Sequence, residues 1–251
     1  MLTCRPELAQ RDWGSVRRDM RVLRRLIKSS AVVLGAGLVL AGCSPVKMGA
    51  AATVGSQRIT IASLDTEVTD LSQAVKQYPA SISLTQAQQT KLTLAWLVKF
   101  QVAEQLARQQ GITVSSAQAQ SALAQILAAS QAEAAQQGES ASSVTLPLIL
   151  ASAGIPPNLS AEVGRYQAIE LQYLTQVNGG KLPSTTATEN ATTAKLNKAS
   201  CVAAKSLNIS VNPQFGRLDY SGFTIVAAPA TVTRAAGPAK AASTAGLTPA
   251  C

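Results

Sequence analysis

The sequence predicts a mainly α domain with short β segments at both ends of its folded part. Two observations predict it. Composition is the first: the chain is rich in Ala and Gln, only 14% charged and 4% aromatic, although 47% is hydrophobic. Such residues favour helices and build a thin core of Leu, Val, Ile and Ala. The second is a pair of N-terminal helix signals, Thr85 with Gln88 and Ser115 with Gln118, each followed by apolar residues at helical spacing.

The chain has 251 residues, and residues 1–42 read as a signal peptide whose expected start is Met20. Arg21, Arg24, Arg25 and Lys28 make a basic leader, and Ala31 to Gly42 is an uncharged run of 12 residues. A membrane-spanning helix needs roughly 17–25 apolar residues, so this run has signal-peptide length. Leu40-Ala41-Gly42-Cys43 resembles the bacterial lipobox. That resemblance implies a diacylglycerol thioether on Cys43, cleavage before it, and a lipidated tether over 43–50. Leu23 stands where a twin-arginine signal has Ser or Thr, so general secretory export is the reading.

Much of the net charge of +9 belongs to this leader, which holds 8 Lys and Arg against 3 Asp and Glu. A nucleic-acid partner loses its support with the leader removed. Gly35-Ala36-Gly37 lacks the strand–loop–helix setting of a nucleotide loop, and Ser44-Pro45-Val46-Lys47 lacks the companions of an S-x-x-K nucleophile. Asn158, Asn190 and Asn208 begin glycosylation sequons, which carry no weight in a bacterial lipoprotein.

A domain is expected over 51–220. Ala52 to Thr60 reads as a strand with a turn at Gly55. A helix follows, with Leu64, Val68, Leu71 and Val75 on one face, Asp65 and Glu67 near its start, and Tyr78-Pro79 at its end. Thr85 opens a longer helix to Gln110, apolar on more than one face between Leu92 and Ala103, as a central bundle helix is. Gly111 ends it, and Ser115 opens the next, to about Gln137. Gly138 to Ser143 form a loop. Leu146 to Leu150 suggest a short helix, closed by Gly154 and Pro156-Pro157. Ser160 to Val177 form another, broken by Asn178-Gly179-Gly180. The stretch 184–193 is a linker or a helix start, a last helix runs over 191–207, and Val211 to Gly216 is a strand or turn. Residues 221–251 read as a flexible tail, most plainly from Pro229.

Four features in this order resemble the N-terminal domain of the SurA/PrsA chaperone family in its actinobacterial lipoprotein form. They are Ala52-Thr53-Val54-Gly55 with Ile59-Thr60; the apolar helix Leu92 to Leu106; Gly111-Ile112-Thr113-Val114-Ser115; and Val211-Asn212-Pro213-Gln214-Phe215-Gly216. Gln214 departs from the usual Arg. The resemblance covers about residues 50–220 and implies that the first strand pairs with the closing segment. Relatives that isomerise prolyl bonds carry a separate parvulin domain with active-site histidines. Here only Gly179 to about Thr192 separates the helical lobe from the last helix, and the chain has no His at all. The resemblance therefore implies a chaperone module without the isomerase.

The same absence of His excludes Ser-His-Asp and Cys-His catalysis and His-ligated metal. Cys4, Cys43, Cys201 and Cys251 have no zinc spacing. Asp65, Glu67 and Asp70 are the nearest thing to an acid–base pair, and read better as a solvated helix face. No enzyme, cofactor or metal is expected. The expected function is a membrane-anchored extracytoplasmic holdase for unfolded or secreted polypeptides, which a groove lined by Leu146, Leu148, Ile149, Tyr166 and Tyr173 would bind. The alternative is an envelope scaffold with one dedicated partner, and for each of the five residues the competing reading is ordinary core. Outside the cytoplasm Cys201 and Cys251 can pair, but spacing does not decide whether they do.

Overall fold

The computed structural model describes residues 49–228. The signal peptide, the lipobox with Cys43, the tether up to 48 and residues 229–251 lie outside the described residues.

Ala50–Val54 (β1) and Gln57–Thr60 (β2) form a hairpin around Gly55. β1 is the middle strand of a three-stranded antiparallel sheet, between β2 and Ser210–Val211 (β3), with Ala52 opposite Val211. The first strand and the closing segment thus meet in one sheet. Its run of Ala50, Ala51 and Ala52 is fully buried, and side chains this small let helices pack close to the strand.

Six α-helices follow from β2 onward among the described residues. Thr60 caps α1 (Ile61–Gln77) by accepting from the Ser63 N–H at 3.0 Å. Because α1 starts at Ile61, Asp65 and Glu67 lie past its first turn, which holds no acidic residue. The expectation that these two carboxylates sit at the helix start is therefore corrected: they stand a turn further in, away from the positive end of the helix dipole. Thr85 and Ser115 form full capping boxes on α2 (Gln86–Gln110) and α3 (Ser116–Gln136), and Gly111 closes α2 at φ 65°. The short α4 (Leu146–Ser152) and a 3-10 turn at Pro157–Leu159 lead into α5 (Ser160–Val177). The last helix, α6 (Thr186–Ser206), begins before the expected 191. Its capping box is Thr185 with Thr188, so a Thr takes the place that Glu or Gln usually fills.

α2 is the central helix. Leu94, Val98, Val102 and Leu106 join the main core with β1, Leu64, Leu196 and Phe223. Phe100, Ala103 and Ala107 face a second core with Ile155, Val163, Tyr166 and Ile169. A helix that serves two cores is apolar on two faces, as its sequence requires.

The folded part runs past the expected boundary at 220. Arg217–Asp219 (β4) pairs with Thr224–Val226 (β5), and Phe223 and Ile225 are buried in the main core. Gly216 enters this hairpin at φ 124°, where a Cβ would lie 2.1 Å from the Val226 carbonyl oxygen. Only glycine fits there. Among the described residues, no helix is long and apolar enough to cross a membrane.

Candidate functional site

The connector between α2 and α3, residues 111–115, is held at its back by α5. The Gln172 amide donates to the Thr113 carbonyl at 3.1 Å. Arg165 donates to the Val114 carbonyl at 3.1 Å and forms a two-pronged ion pair with Glu104 of α2, its second prong at 3.0 Å. That hydrogen-bonded pairing raises the Arg165 pKa above its ordinary value.

In front of the connector lies an open groove of about 490 Å³. Its apolar contacts are Ile112, Leu171 and Leu182; its polar ones include Gln125, Gln172 and Gln176. No lining side chain is charged. Leu182 is 54% exposed, one of two large apolar side chains left open to solvent among the described residues. It is held out by its position between the Gly179-Gly180 break and Pro183. Amides beside aliphatic side chains suit an extended uncharged polypeptide: the amides pair with its backbone and the Leu and Ile take its apolar side chains.

The five residues expected to line a groove lie elsewhere. Tyr166 is 7% exposed, in edge contact with Trp96 and Phe100 at centroid distances of 5.7 and 6.0 Å. Tyr173 is buried in the main core and donates to the Lys195 carbonyl. Both rings are core and face no groove. Leu146 packs on the second core, Leu148 on a third small cluster with Leu71 and Ile82, and Ile149 is half-buried on α4. The structure does not bring the five together at one surface. The sequence did carry a signal for the groove that does exist: Gln172 and Gln176 one turn apart beside Leu171, and a Leu stranded between glycines and a proline.

A second polar feature is internal. Glu170 is 3% exposed and accepts a hydrogen bond from the Tyr166 hydroxyl. Burial pushes its carboxyl up to about 7; the Tyr166 hydrogen bond and the Lys99 charge hold it from going higher. Burial beside this carboxyl also pushes the Tyr166 phenol well above its ordinary value. The adjoining void of about 20 Å³, against Lys99, Ser200 and Phe223, is too small for a substrate. Asp70 accepts from the Asn158 N–H at 3.2 Å, which ties α1 to the 3-10 turn. Among the described residues no group of three or more Cys, Asp or Glu is placed to hold a metal ion. Cys201, on α6, is disulfide-bonded.

No protein family, curated protein or solved structure matches the chain.

Proposed function

We propose that this chain is a lipid-anchored extracytoplasmic protein that holds extended segments of unfolded or secreted polypeptides, without isomerase chemistry. The observation that carries the reading is the uncharged groove of about 490 Å³ with exposed Leu182 at its edge. Its contacts are few and aliphatic, which suits catch and release more than tight capture. The lipobox at Leu40 to Cys43 supplies the anchor, and tethering raises the effective concentration near emerging chains. The SurA-like order of motifs supports the same reading.

The second reading is a scaffold with one dedicated envelope partner, which would seat a single matching segment in the same groove with Leu182 at its edge.

The test is aggregation of a denatured model protein in the presence of the mature chain from residue 44, with Leu182→Asp alongside and a prolyl-isomerase assay in parallel. The holdase reading expects suppression at near-stoichiometric ratios, about tenfold weaker for Leu182→Asp because a carboxylate is disfavoured at an apolar contact, and no isomerase activity. No suppression at large excess overturns general holding and leaves the dedicated partner, to be sought by crosslinking from position 182 in cells.

A further inference from the structure

Cys201 is 4% exposed on α6, disulfide-bonded, and the sole cysteine among the described residues. The sequence offers three others: Cys4, Cys43 and Cys251. Cys4 belongs to the segment expected to leave with the signal peptide. The Cys43 sulfur, in the lipoprotein reading, is a thioether, and a thioether has no S–H to oxidise. We propose that Cys201 is bonded to Cys251, so that the C-terminal segment of this chain is stapled back onto α6. The assignment rests on the lipid anchor proposed above.

The staple encloses the part of the fold most in need of it. The loop it closes, of about 50 residues, contains β3, β4 and β5. β3 meets β1 over two residue pairs and the β4–β5 hairpin has three. Elements this short hold weakly by themselves. Cross-linking a long loop stabilises them by restricting the unfolded chain. An extracytoplasmic location permits the bond to persist, and burial of Cys201 shields it from small reductants.

Formation balances as a thiol–disulfide exchange with a small disulfide donor. The Cys251 thiolate attacks the donor and releases one donor thiol. The Cys201 thiolate then attacks the Cys251 sulfur of the mixed disulfide and releases the second. Two protein thiols are oxidised and one donor disulfide is reduced, the two protons ending on the donor thiols.

The test uses the full chain, exported and lipidated in a bacterial host and extracted in detergent. Free thiols are alkylated without reduction, and the chain is digested with trypsin. The expected product joins the peptides 199–205 and 241–251, two hydrogens lighter than their sum, from a protein that runs as a monomer on a non-reducing gel. An alkylated Cys201, or Cys201 joined to Cys4, Cys43 or a second chain, overturns the proposal. The Cys43 peptide in the same digest separates the two readings. Lipidated Cys43 with alkylated Cys201 overturns the staple and leaves the anchor; Cys43 joined to Cys201 overturns both. In addition, Cys251→Ser and the Cys201→Ser, Cys251→Ser double variant are expected to lose the same thermal midpoint, about 8 °C. Unequal losses, or none, overturn the staple as a stabilising device.

Discussion

The side-chain amide of Asn212 donates to the Ala50 carbonyl at 3.1 Å across a sequence separation of 162 residues, while the Asn212 N–H donates to the Ala51 carbonyl at 2.9 Å. The side-chain oxygen accepts in turn from the Gln214 N–H at 3.2 Å. One residue thus closes the fold: it holds the start of the first strand and shapes the turn that follows it at Pro213 and Gln214. This is the physical use of the Asn-Pro-x-Phe-Gly run that stands out in the sequence.

Asn212→Ala is expected to destabilise the domain by about 1–2 kcal/mol, because two side-chain hydrogen bonds go and the Ala50 carbonyl loses a partner. Urea unfolding would show a lower midpoint with an unchanged slope. A changed slope would mean that the closing segment had detached and altered the native state itself.

Gly164 on α5 faces α3 so closely that a Cβ there would lie 2.5 Å from the Ala119 carbonyl oxygen and 2.8 Å from Leu123 Cγ. Backbone cannot yield as a side-chain tip can. Gly164→Ala therefore trades a small gain in helix propensity for a forced separation of the two helices, a net loss of about 2 kcal/mol. A midpoint at or above that of the parent would show that α3 moves aside at no cost.

Most of the architecture was legible because its signals are local. Thr85 and Ser115 fix two helix starts by their own hydrogen bonds, and Gly111 fixes one end. The start of α6 at Thr186 falls in the stretch 184–193 that reads equally as linker or helix start, because Thr188 does the work usually done by Glu or Gln. Phe223 and Ile225 read as tail in the sequence because their burial depends on α2 and the main core, distant along the chain. The candidate site was hardest. Tyr166 and Tyr173 look like groove residues only while their neighbours are unknown; Trp96 and Phe100 make Tyr166 part of a core. The groove is made by residues 110–113, Gln125, two pairs on α5 (Leu171 with Gln172, Thr175 with Gln176) and Leu182, which no single periodicity links.

Glu170 gives the domain a pH dependence of definite sign. Its folded-state pKa is raised from 4.5 to about 7, so the native state holds a proton that the unfolded chain has released. Stability from this group is full below about 4.5 and falls as pH rises towards 7, by about 3 kcal/mol in all. The groups that face it are Tyr166 and Lys99, with Ser200 and Phe223 across the void. Glu170→Gln keeps the shape without the proton. It is expected to flatten the pH profile and to match or exceed the parent above pH 7. Equal slopes in parent and variant would sink the assignment.

Arg165 links this scaffold to the groove. Its guanidinium joins Glu104 on α2 to the Val114 carbonyl on the connector, and Gln172 holds the neighbouring Thr113. Arg165 is 44% exposed, so solvent screens the pair and Arg165→Ala is expected to lower global stability by only about 1 kcal/mol. The larger effect is local. With its anchor gone the connector has fewer bonds to α5, and amide hydrogen exchange over residues 111–115 should quicken more than exchange in α2 or α5. Arg165→Lys replaces a planar fork with one point charge, which cannot serve Glu104 and Val114 together, and is expected to restore little of that protection. If peptide binding weakens with the connector's protection while the unfolding midpoint hardly moves, the connector belongs to the binding surface. If binding is unchanged, the groove's contacts come from α3, α5 and Leu182 and not from the connector.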